Sequence, residues 1–226
     1  MLRSQGWAII MVSCLVILLS AVQKTNAGVI CSNLGPGGAF DHTQNHHIGS
    51  TGDTSEVVAN SFIPLNDAIF SDAVVALSAG ASLQQVQISL ETDSLDTPGV
   101  PGGILEQFTV TVPAKSASLI TAASVLNSPL TGGDMYWLVV SPSDPQHTVA
   151  GWDFNPTGDV QTFAFNESGS ATGPSWSTNP ADTRGAFQID SIDSPKPTSL
   201  TLVVMGLASF GGIAWLKTRK SKVSAT

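Results

Sequence analysis

Between residues 57 and 191 the apolar residues arrive in nine short runs, none longer than ten residues. Nearly every gap between them holds Gly, Pro, Asn, Asp or Ser, as in "DSLDTPGVPGG", "NSPLTGGD", "SPSDPQ" and "NPTGD". A helix needs about ten or more residues of unbroken 3.6-residue periodicity, and none of these runs supplies it. The runs "VVANSFI" (57–63), "DAVVALS" (72–78), "LQQVQISLET" (83–92) and "ILEQFTVTV" (104–112) read as strands. So do "SLITAASVL" (118–126), "MYWLVVS" (135–141), "TVAGWDF" (148–154), "VQTFAF" (160–165) and "GAFQIDS" (185–191). In "LQQVQISL", Val86, Ile88 and Leu90 alternate with Gln85, Gln87 and Ser89. A period of two predicts one buried and one wet face. Short strands at regular spacing with such turns predict an all-β, antiparallel β-sandwich of jelly-roll type over residues 28–194.

Two segments fall outside that pattern. Residues 1–27 carry Arg3, an apolar stretch from Trp7 to Val22 and then "TNA". This basic, apolar, small-residue order is that of a secretory signal, with cleavage expected after Ala27. Near the other end, residues 198–216 contain no charge. As a helix they would extend about 28 Å, close to a bilayer's hydrocarbon core. Lys217, Arg219, Lys220 and Lys222 follow at once in the tail 217–226. Lys and Arg stay on the cytoplasmic side, so the expected topology is a single-pass anchor with its C-terminus inside and the domain outside. Pro195 and Pro197 precede the apolar run and disfavour helix there, so 195–197 reads as a hinge.

Charge narrows the partners. Charged residues are only 12% of the chain and the net charge is −8. Between 28 and 194 only Lys115 and Arg184 face all 17 acids, giving 2 − 17 = −15. A basic footprint for phosphate is missing, which argues against nucleic acid as a partner. Cys31 would be the single cysteine of the exported chain, so it has no intramolecular disulfide partner.

Few constellations suggest chemistry. "DHTQNHHIG" holds His42, His46 and His47 beside Asp41, but no helix is predicted and no Glu stands between the first two, so it reads as a solvated loop. "ETDSLDTPG" offers Glu91, Asp93 and Asp96, yet their spacing is not that of a calcium loop and a self-bonded turn is expected. Neither GxSxG, GxGxxG nor a phosphate-binding P-loop occurs. No metal, cofactor or catalytic residue is therefore assigned. Tyr136 and Trp137 are adjacent on a strand and should face opposite ways, one in the core and one at the surface. Trp137, Trp152 and Trp176 are candidate glycan contacts, although core packing is the default for large aromatics in a sandwich.

Several stretches together resemble a known family. "GVICSNLGPGGAF", "LETDSLDTPGVPGGILEQFTV", "LTGGDMYWLVVS", "AGWDFN" and "RGAFQID" are similar to the choice-of-anchor R domain, over about residues 29–191. That family is an extracellular β-rich domain of bacterial surface proteins with varied C-terminal anchors. The end of the chain resembles a PEP-CTERM sorting signal, which pairs a Pro-Glu-Pro motif with an apolar helix and a basic tail for an exosortase. Pro195 and Pro197 match, while Lys196 stands where that signal has Glu. The resemblance implies two fates: removal of the tail by an exosortase-type processing enzyme, or retention as a plain membrane anchor. The expectation is an exported, non-enzymatic protein of the cell envelope. The alternative is an exopolysaccharide-binding module on the cell surface.

Overall fold

The computed structural model describes residues 27–50, 52, 54–171 and 175–192. The signal segment up to residue 26, the 195–197 hinge, the apolar run 198–216 and the basic tail lie outside the described residues. Residues 26–192 cluster into one compact unit.

The described chain is all β. Its strands are β1 (Ala27–Ser32), β2 (Asp41–Ser50), β3 (Ser55–Phe62), β4 (Ala68–Ala79), β5 (Gln84–Asp93), β6 (Pro101–Val112) and β7 (Ser116–Ala123). They continue as β8 (Pro129–Leu130), β9 (Tyr136–Pro142), β10 (Val149–Phe154), β11 (Val160–Asn166), β12 (Ser177–Thr183) and β13 (Phe187–Ile192). Every ladder between them is antiparallel. The hydrogen-bonded order runs β1-β13-β4-β10-β2-β3-β9-β5-β6, with β7 and β8 also on β4, and β11 and then β12 on β3.

This path has a weak joint. Strands β2 and β3 pair only at Gly49–Glu56 and Ser50–Ser55. The joint divides the strands into a first ladder built on β4 and a second built on β3, β9 and β5. One hydrophobic cluster draws on both. Val75 and Leu77 of β4, Trp152 of β10 and Phe187 of β13 pack with Val58 of β3, Ile88 of β5 and Leu138 of β9. Their alternation with outward residues is what puts them there: Val86, Ile88 and Leu90 are wholly buried, as the period of two requires.

The opposite face of the second ladder departs from expectation. All seven residues of β9 are buried. Tyr136 packs in the main cluster, and Trp137 lies in a second one with Val57, Ala59, Val139 and Ala164. Ala171 and Trp176, after β11, and Met135, before β9, close over that cluster. So neither Tyr136 nor Trp137 is exposed, and the reading that put one of them at the surface is corrected. Alternation reports two faces of a strand, but not what covers each.

A buried polar cluster ties the two ladders together. Arg184, in the link from β12 to β13, is 4% exposed. Its Nη1 donates to Asp159 Oδ2 at 3.1 Å, and its Nη2 donates to the Ser61 carbonyl of β3. Its guanidinium sits 4.8 Å over the ring of Phe187 on β13. Asn33 Nδ2 donates to the Gly185 carbonyl at 3.0 Å and its Oδ1 accepts from Phe187 N at 2.7 Å. Asn155 Nδ2 donates to the Arg184 and Asp159 carbonyls at 2.8 and 2.9 Å. Gly185 lies against the Trp152 indole, where an added Cβ would come within 2.5 Å of the ring.

Removing one partner of a buried pair leaves the other desolvated and alone. Arg184→Leu should therefore lower stability by roughly 3 kcal/mol, read from the urea midpoint. Asp159→Asn, which keeps an acceptor for Nη1, should cost less. Equal and small losses from both would mean that the cluster does not hold the ladders.

Candidate functional site

The three tryptophans proposed as glycan contacts do not form a platform. Trp137 and Trp152 are both 0% exposed. Trp137 Nε1 donates to Asp93 Oδ1 at 2.9 Å, and Trp152 Nε1 donates to the Ala186 carbonyl at 3.0 Å. Each indole is consumed by packing with its polar atom satisfied, as is usual for buried Trp. Both are withdrawn as surface contacts. Trp176 is half-buried and keeps some accessible surface.

The histidines lie on a strand rather than in a loop, since 41–50 forms β2. They do not converge. His46 stacks on Phe163 with centroids 3.9 Å apart and approaches Phe154 at 4.7 Å. Its Nε2 donates to the Thr183 carbonyl at 2.7 Å. Burial lowers its pKa, so the ring is neutral in this setting. His47 is adjacent and therefore points to the other face, where its Nε2 donates to the Ser50 carbonyl at 2.9 Å. His42 is exposed. Among the described residues no group of three His, Cys, Asp or Glu side chains is placed to hold a metal ion. Cys31 is half-buried, and burial pushes its thiol up to about 12, which makes it a poor nucleophile.

The acidic turn also resolves into separate roles. Asp93 accepts from Trp137 and from Gly99 N at 3.1 Å, so it pins the β5–β6 turn. Asp96 is exposed. Glu91 is wholly buried on the outer face of β5, opposite Trp137. Ser89 Oγ donates to its Oε1 at 2.6 Å, and Oε2 has no hydrogen-bond partner among the described residues. Burial raises its pKa to about 7, against the pull of the Ser89 bond. Asp153 on β10 is similar: Ser78 Oγ donates to Oδ1 at 2.7 Å, and burial raises the carboxyl to about 6.

Glu106 on β6 has the opposite character. Burial opposes its ionisation, but Ser124 Oγ, Ser128 Oγ and the Ser128 and Val125 amides all donate to it, and its pKa falls below the usual value. The carboxylate thereby shapes the 124–128 turn. Glu91 reads in the sequence as part of an acidic turn and not as a buried acid, and Asp153 and Glu106 do not stand out at all, because acids are common in this chain.

The most distinctive geometry is at one end of the fold. The first and last strands pair, with Ala27 opposite Ile192. Ile192 is opposite Ile69, and Ile69 opposite Pro129, so four strands end in one row. The turns 63–67, 94–100, 124–128 and 131–135 gather at this same end. Gly133 N donates to the Pro64 carbonyl at 2.8 Å, Gly132 N to Asp67 Oδ1 at 2.9 Å and Asp93 N to the Met135 carbonyl at 3.2 Å. The two ends of the described chain thus lie side by side.

Glu91 supplies a test of the buried face. Its raised pKa means that the folded state favours the protonated acid. Stability is full below the unfolded value of 4.5 and falls as pH rises to about 7, where the folded acid ionises. A shift of that size corresponds to roughly 3 kcal/mol. Glu91→Gln should abolish this fall, so that the variant gains on the wild type between pH 4.5 and 7.5 in urea unfolding. Parallel pH profiles for the two proteins would show that Glu91 is hydrated.

No family model, curated protein or solved structure matches the chain.

Proposed function

We propose that the chain is an exported surface protein of the cell envelope that acts by presentation and not by catalysis. Its domain is a β-sandwich of jelly-roll type, held or sorted by the C-terminal segment. The observation that carries this reading is the pairing of Gly28 with Ser191, which puts the start of the exported domain beside its end. A domain whose entry and exit lie side by side can be displayed from one tether without spanning it. The shared core of the two ladders supports the sandwich, because two sheets that bury one common cluster must face each other. The basic tail after the uncharged run agrees with the expected orientation, tail inside and domain outside.

The two fates of the tail differ at Pro195-Lys196-Pro197. An exosortase-type enzyme that tolerates Lys196 would release the tail, whereas one that requires Glu would leave the anchor. Exopolysaccharide binding is the second reading, and with Trp137 and Trp152 buried it rests on Trp176 alone.

Mass spectrometry of the mature protein from its own membranes separates these outcomes. Retention of the anchor predicts a C-terminal peptide that includes Lys217–Thr226 and an N-terminus at Gly28. A chain ending near Pro197 would establish processing. A protein recovered only from the cytoplasm with Met1 intact would contradict export altogether.

A further inference from the structure

The row-end where Ala27 and Ile192 pair also carries the four most exposed large apolar side chains among the described residues, with Ile63 beside them. Leu95 is 98% exposed, Leu65 90%, Val125 79%, Leu126 67% and Ile63 50%. They sit on three different turns: Ile63 and Leu65 between β3 and β4, Leu95 between β5 and β6, and Val125 and Leu126 between β7 and β8. These turns are held firmly. Glu106 takes the amides and hydroxyls of 124–128, Asp93 takes Gly99 N, and Asp67 takes Gly132 N. The leucines are therefore displayed on rigid supports. Single exposed apolar residues need no explanation, but five gathered at one end mark an interaction surface.

The chain limits what can cover them. Five residues separate Ile192 from the uncharged run that begins at Thr198. Even fully extended, that connection reaches only roughly 20 Å. We propose that these turn tips rest in the headgroup region of the lipid bilayer, so that the domain is seated on the membrane by its tethered end. The proposal rests on the membrane-anchored reading above and adds to it which surface meets the lipid. Asp67, Asp96 and Asp134 lie on the turns of the same end, and neither Lys115 nor Arg184 does. The contact is therefore apolar, suits neutral headgroups, and is weakened rather than strengthened by anionic lipid.

The test uses the full chain reconstituted in phosphatidylcholine vesicles. A fluorophore is placed on Leu65→Cys, Leu126→Cys or, at the opposite end, Gln146→Cys, each in a Cys14→Ser, Cys31→Ser background. Brominated lipid should quench the labels at 65 and 126 several-fold more than the label at 146, independently of salt. Flotation is read on the same samples. Equal quenching at all three positions in chain that floats with the vesicles overturns the seating and leaves the anchor intact. Labels shielded from aqueous iodide but not quenched by lipid, more so at high protein density, would assign the surface to a second copy and overturn the lipid contact. Failure of the chain to float overturns the anchored reading and the seating with it.

Discussion

Arg184 is the one cation that the described residues bury, and both ladders lean on it. Its guanidinium reaches the Ser61 carbonyl in the second ladder while covering the Phe187 ring in the first. Burial works against its charge, and Asp159 offsets that cost by pairing with Nη1. The neighbours complete the arrangement, because Asn33 and Asn155 satisfy the carbonyls and amides of a link that could not otherwise be buried. From this point β13 starts in a fixed direction along β4. Strand β1 then pairs along β13, from Gln188 to Ile192, so the position of both chain exits depends on the direction that β13 takes.

The second constraint is that strand β9 is dry on both faces. Strand β9 could have shown a wet side, but Ala171, Trp176 and Met135 cover it. That cover converts surface-type residues into buried ones. Glu91, opposite Trp137 on β5, is wholly buried with one oxygen unpartnered among the described residues, and its acid is therefore reluctant to ionise. The same cover removes Trp137 from any ligand. A carbohydrate reading that began with three aromatic residues is left with one at the rim.

Much of the fold was legible in the sequence, and the exceptions have physical causes. All nine apolar runs form strands, because alternation and turn residues act locally. The polar stretch "DHTQNHHIGS" carries no local strand signal; it extends as β2 because β10 supplies its partner from Val149–Phe154. Strand β12 carries Pro180 and is polar, which is tolerated because it is an edge pairing only with β11. Strand β1 needs β13, more than 150 residues away in the chain, and no local pattern reports that. The candidate site was less legible. Burial of Trp137, Trp152 and Glu91 is decided by which segments fold over them, and sequence periodicity is silent on that.

The two chain exits are neighbours across the β1–β13 ladder. The most direct test is a cross-link across the β1–β13 pair in the full-length protein. Gly28 and Ser191 are opposite one another, so their Cα atoms should lie roughly 5 Å apart, within the span of a disulfide. In a Cys14→Ser, Cys31→Ser background, Gly28→Cys combined with Ser191→Cys should oxidise to an intramolecular bond in the folded protein, counted by alkylation and mass spectrometry, with the chain still in the membrane fraction. Two free thiols in folded, membrane-bound protein would contradict the account, because the domain would then leave its two terminal segments apart.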